Sequence, residues 1–231
     1  MLICATVYIC CQPWQTTNLH NIHSGHYNSN RRMKQEILIQ IQRLGGTVDH
    51  VKGHSLQEAL ESIDFKCPLY PDDYSDNLYG IDKFYNNNKQ LCLDSKRDFY
   101  NTLLDHFFSD HEIPYGQAFF RNFLFTPFRE NSEDFGELDG LAEESEIREV
   151  VDGTDLDFMC ICYSNGYPDH YFVCLTDPDQ DNPTVYGTDH EVYFQEIKNE
   201  GTLEEFFKRF LTKKEFLKVV ENYIENIKND K

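Results

Sequence analysis

The sequence predicts an α+β protein, and three observations predict it. Apolar residues at helical spacing occupy the stretch after Met33 and the two stretches after Thr202. Between them lie apolar runs of seven or eight residues, rich in aromatic and β-branched side chains and bounded by turn signals. Strands grouped together, with helices at the ends and not one helix per strand, give the α+β order. Apolar residues make up 40% of the 231-residue chain and aromatics 14%, enough for a sizeable core.

The elements follow in order. Residues 1–32 read as a disordered leader or a mis-assigned start: the opening MLICATVYICCQPWQ lacks the basic start and long apolar run of a signal peptide, and a polar Asn- and His-rich stretch follows it. Met33 opens the expected single domain, 33–231. KQEILIQIQRL reads as a helix stopped by Gly45-Gly46, and Ser55-Leu-Gln-Glu58 as a capping box before a second helix. Pro68 to Gln90 reads as a loop that could carry short strands. Phe99, Leu103, His106 and Phe107 share one face of a helix over 97–108, and 119–128 is strand-like. A short helix is expected over 145–151. DFMCICYS (157–164) and HYFVCLTD (170–177) read as two central strands joined through Asn165-Gly166. PTVYGTD (183–189) and EVYFQEI (191–197) follow as further strands, then a helix capped by Thr202 and Glu205, then an amphipathic helix over 213–227.

Charge is the most informative global property. Twenty-one basic and forty acidic residues give a formal net charge of −19, of which −17 lies in residues 131–200, where Arg148 and Lys198 face 19 carboxylates. A field of that sign repels nucleic acid and anionic membrane surfaces and excludes both as partners. It attracts a basic protein and speeds its capture. Solubility alone is the competing account, and it does not explain why the charge is concentrated.

Chemical motifs are few. Cys67, Cys92, Cys160, Cys162 and Cys174 are odd in number and the strand-borne ones sit among apolar residues, the pattern of reduced core thiols in a cytoplasmic protein. Cys160-x-Cys162 places two thiols on one strand face, but no second pair stands at zinc spacing. Asp177-x-Asp179-x-Asp181 lacks the Gly and Glu of a calcium loop and reads as a turn closed by Asx hydrogen bonds. Asp189-His190-Glu191 resembles an acid–base cluster, yet strand neighbours point to opposite faces. No phosphate loop, dinucleotide fingerprint or nucleophile elbow is present. The sequence therefore predicts no catalytic residue, no metal and no cofactor.

The succession NGYPDHYFVCL (165–175), DPDQDNP (177–183), VYGTDHE (185–191) and TLEEFFKRFL (202–211) resembles the SUKH superfamily, the Smi/Knr-type domain of cell-wall regulators and bacterial toxin-immunity proteins. The resemblance is clearest over 140–212. It implies a mixed, bent sheet of about six strands flanked by helices, with the C-terminal helices packed on it. It also implies a non-catalytic protein-binding function: an immunity protein that sequesters a cognate basic toxin of nuclease type, or alternatively a regulatory or scaffolding module binding a housekeeping protein. Charge and turn position nominate Asp152, Asp155, Asp169, Asp177, Asp179, Asp181, Asp189 and Glu191 as partner-binding carboxylates, with Tyr167 and Tyr186 as exposed aromatic anchors.

Overall fold

A computed structural model describes residues 33–47, 55–72, 80–109, 116–164 and 169–229. The expectations for 1–32 and for Tyr167 lie outside the described residues. Helix α1 (Gln35–Arg43) buries Ile37 and Ile41 and presents its polar face outward. It stops where Gly45 takes a left-handed φ of 85°. At the next residue a Cβ would lie 2.7 Å from both Ile41 Cγ2 and a Phe65 ring carbon, so only glycine lets the chain pass this close. Helix α2 (Leu56–Glu61) starts at Ser55, whose capping box with Glu58 forms as its sequence predicts.

Residues 81–94 differ from expectation. They form two short helices, α3 (Ile81–Asn87) and α4 (Lys89–Asp94), instead of the loop or strands expected before Gln90. Ile81, Phe84 and Tyr85 are buried at helical spacing there, while the run Asn86-Asn87-Asn88 masks the pattern and ends the first helix. Helix α5 (Lys96–Phe107) is capped by Ser95 and buries Phe99, Leu103 and Phe107.

Five strands form one sheet in the order β1 (Ala118–Phe125), β2 (Phe158–Ser164), β3 (His170–Cys174), β4 (Thr184–Asp189) and β5 (Tyr193–Thr202). Every pairing is antiparallel, so among the described residues the sheet is a five-stranded meander and not the mixed sheet of about six strands that the resemblance implied. The α+β class stands. The short connections from β2 to β5 favour the antiparallel arrangement there, since a parallel pair requires a crossover of a dozen or more residues; β1 joins β2 through the long segment 126–157 and is antiparallel as well.

Both faces of the sheet are covered. On one face Met159, Ile161, Val173 and Val185 pack with α1, α2 and the Phe-rich helix α7 (Leu203–Lys208). On the other, Phe158, Cys160, Phe172, Cys174 and Tyr186 are covered by Leu138, Ala142, Ile147, Val151 and Leu156. That cover is residues 126–157, a chain of three-residue turns with a single short helix, α6 (Glu144–Ile147).

The last helix departs from expectation. Helix α8 (Lys213–Asn229) does not lie on the sheet: its Phe216, Val220 and Ile224 join Ile81, Phe84, Phe99, Leu103 and Phe107 in a separate helical core. Tyr70 links this core to the sheet. It packs on Phe216 with ring centroids 4.7 Å apart, donates to the Phe107 carbonyl, and accepts from Gln117 Nε2 at 3.0 Å just before β1. No described helix is long and apolar enough to cross a membrane.

Candidate partner-binding surface

The nominated residues that the structure describes do not form one site. Strand direction places Asp155, Asp177, Asp179 and Asp181 where β2 starts, β3 ends and β4 starts. Asp169, Asp189 and Glu191 lie at the opposite end, where β3 starts and β4 ends. A five-residue strand separates the two groups by roughly 16 Å.

Two nominations are corrected. Asp177 is buried at 3% exposure and accepts the backbone N–H groups of Asp179 (2.8 Å) and Thr184 (3.0 Å), so it closes the turn from within. Tyr186 is 1% exposed and cannot anchor a partner. It lies in the core beneath the 126–157 cover, where its hydroxyl accepts from the Asp152 N–H at 3.1 Å, and burial pushes its pKa up. The physical reason is shared: β4 is covered on both faces, so neither its side chains nor the turn feeding it can all face solvent.

The other residues of the acidic turn tie elements together. Asp179 Oδ1 accepts from Asp181 N (3.3 Å) and Asn182 N (3.2 Å), the Asp181 carbonyl accepts from Lys34 N (2.9 Å), and Asn182 Oδ1 accepts from Glu204 N (3.0 Å). The turn is thereby fixed against the starts of α1 and α7, while the Asp179 and Asp181 side chains stay exposed. Glu204 itself is held by Lys208 and Lys34, which lower its pKa. These contacts agree with the Asx-turn reading.

Free thiols are confirmed at Cys67, Cys92, Cys160, Cys162 and Cys174. Cys160 and Cys162, expected on one face, lie in different cores because the β2–β3 register shifts between them. Burial pushes the Cys160 thiol up to about 12 and raises Cys162 and Cys174 as well, which keeps all three protonated and unreactive.

The surface that the structure does assemble is the outer side of residues 126–157. This segment holds twelve carboxylates against Arg129 and Arg148. Both cations are engaged within it, Arg129 with Asp157 and Arg148 with Glu144, and Arg148 also donates to the carbonyls of Gly153 and Thr154. Asp152 and Asp155 lie at its end with exposed side chains. Among the carboxylates three large apolar side chains face outward: Phe135 at 55% exposure, Leu141 at 49% and Val150 at 37%. Sequence reasoning missed these three. Their only trace is the spacing Phe135-x-x-Leu138-x-x-Leu141, in which the middle residue alone turns inward.

A second cluster forms at the far end of the sheet. Asp169, Asp189 and His190 bring one donor atom each to within 4.8 Å of one another. The expectation that strand neighbours could not cooperate fails here, because β4 ends at Asp189 and His190 already belongs to the following turn. Asp169 Oδ1 lies 3.0 Å from both the His190 N–H and His190 Nδ1, and Asp189 Oδ1 accepts from Glu191 N at 2.7 Å. That bond, with His190 and Lys198 nearby, lowers the Asp189 pKa. Glu191 is exposed beside the cluster.

No family model, curated protein or solved structure matches the chain.

Proposed function

We propose that the protein is a non-catalytic, cytoplasmic binding domain that captures a basic protein through the outer side of residues 126–157. One observation carries this reading: three exposed apolar side chains, Phe135, Leu141 and Val150, sit within a segment of twelve carboxylates, ten of them exposed, whose two cations are already paired internally. Interfaces combine buried apolar anchors with a polar rim, and a rim of one sign steers a partner of the other. The SUKH resemblance over 140–212 supports a toxin domain as the partner and an immunity role for this chain. A nuclease toxin binds a polyanion, and a dense carboxylate surface can occupy the same basic groove.

The test begins with affinity capture of a partner by the full-length chain and identification of that partner. Two variants then measure binding: Glu137→Lys with Asp139→Lys and Glu146→Lys, and Phe135→Ala with Leu141→Ala. The charge variant is expected to slow association and flatten its salt dependence. The apolar variant is expected to weaken affinity by about 10- to 100-fold, since each anchor contributes on the order of 1 kcal/mol or more. Co-expression of the chain should restore growth of cells producing the partner. A partner bound equally by both variants overturns the assigned surface. A harmless housekeeping partner transfers the chain to the regulatory or scaffolding class.

A further inference from the structure

The cluster at the far end of the sheet has no part in that surface, and its donor set differs from the acidic segment. We infer that Asp169, Asp189 and His190 bind a single divalent ion of the zinc class. Imidazole nitrogen and carboxylate oxygen are both ligands for Zn²⁺, and three protein donors with water completing the shell is a standard open coordination.

The three donors come from two connections that the sheet holds side by side. Asp169 closes the β2–β3 connection, with its carbonyl accepting from Ser164 N at 3.0 Å. Asp189 and His190 open the β4–β5 turn. Pairing of His170, next to Asp169, with Thr188, next to Asp189, fixes the two backbones across β3 and β4. The Thr188 hydroxyl adds a bond to the His170 carbonyl at 3.3 Å. A site built on paired strand ends is held more tightly than one on free loops.

The spacing suits one ion. Donor atoms bound at ~2.0–2.2 Å in a tetrahedron lie about 3.4 Å apart. His190 Nδ1 and Asp169 Oδ1 already stand 3.0 Å apart, and all three donors fall within 4.8 Å. A metal ion bound by both atoms takes the place of the His190 Nδ1 to Asp169 Oδ1 contact. Asp189 is oriented by its Oδ1 bond to Glu191 N, the outer-shell support that fixes a ligand's rotamer. The cost of holding two carboxylates together is offset by a doubly charged ion. Side-chain exposures of 27% for His190 and 30% for Asp169 leave the site open to solvent. Lys198, close enough to act on Asp189, is the opposing cation; it pairs instead with Glu196 at 3.5 Å.

The experiment uses the full chain carrying His20→Ala, His23→Ala and His26→Ala, so that the His-rich stretch near its start contributes no zinc site. After chelator treatment it is titrated with ZnCl₂ by calorimetry, and with Co²⁺ as a visible-absorption probe. One equivalent is expected to bind at micromolar concentration, to raise the melting temperature as zinc rises, and to give a Co²⁺ ligand-field spectrum. His190→Ala is expected to weaken binding at least 100-fold, and Asp189→Asn at least 10-fold. Both variants should melt like the parent in chelator; if either fails to fold, His190→Gln and Asp169→Asn replace it. Zinc binding only at millimolar concentration, or micromolar binding unchanged by these substitutions, overturns the site.

Discussion

At the level of single residues, burial decides which carboxylates are available for binding. Asp177 and Asp181 belong to the same acidic turn and look equivalent in the sequence, yet Asp177 is buried with two backbone N–H groups to satisfy while Asp181 is exposed. Removing a buried acceptor strands its donors at a cost of about 1–3 kcal/mol. Asp177→Ala is therefore expected to lower unfolding stability by about that amount in urea denaturation while leaving the affinity of the folded protein for the proposed partner unchanged. Asp181→Ala should leave stability within about 0.5 kcal/mol of the parent. A reversal of that order would place Asp177 on the surface. The sequence shows that 177–181 is a turn but not which aspartate faces inward. The same holds for Tyr186: on a strand covered on both faces, alternation carries no information about exposure.

At the level of elements, helix ends were the most legible feature. Ser55 with Glu58 and Thr202 with Glu205 form the capping boxes that their spacing predicts, because this interaction is local and independent of the rest of the fold. Strands β2 to β5 were also legible, from apolar runs between turn signals. Helices α3 and α4 were not, since a three-asparagine interruption hides their periodicity and their stability depends on packing with Tyr70, α5 and α8. The 126–157 cover was illegible for a different reason: successive three-residue turns have neither helical nor strand period.

The C-terminal helix starts carry a pH dependence of definite sign. The pKa of Glu205 is lowered by the Thr202 N–H and hydroxyl, that of Glu204 by Lys208 and Lys34, and that of Glu215 by the Thr212 N–H and hydroxyl with Arg43 nearby. A carboxyl depressed in the folded state stabilises above its unfolded value of ~4.3 and loses that contribution as pH falls through the folded value. Stability is thus expected to be flat from these groups above about pH 5 and to drop below ~4.3. Thr202→Ala, which removes one cap, should cost about 1 kcal/mol at pH 7 and make the acid drop shallower. Urea denaturation of both proteins at pH 7 and pH 3.5 checks this, and an acid drop of equal size in the variant would remove the Thr202 hydroxyl from the cause and leave the backbone N–H, which the variant keeps.

At the level of the whole molecule, the charge distribution is expected to act on folding and on the proposed binding in opposite directions. The chain carries −19, of which −17 lies within residues 131–200, while several of its ion pairs are exposed and individually weak. Self-repulsion among the 126–157 carboxylates disfavours the compact state, and salt relieves it as the screening length falls to about 10 Å at 0.1 M. The same screening weakens attraction to a basic partner. Raising NaCl from about 20 mM to 300 mM is therefore expected to increase the melting temperature of the free protein by a few degrees and to weaken partner binding at least tenfold. Thermal melts and equilibrium binding on one salt series test both. Opposite trends tie the acidic surface to its partner through a single field. A melting temperature that falls with salt would mean that local ion pairs outweigh the repulsion. Binding indifferent to salt would leave Phe135, Leu141 and Val150 as the energetic centre of the interface, with the surrounding carboxylates serving solubility.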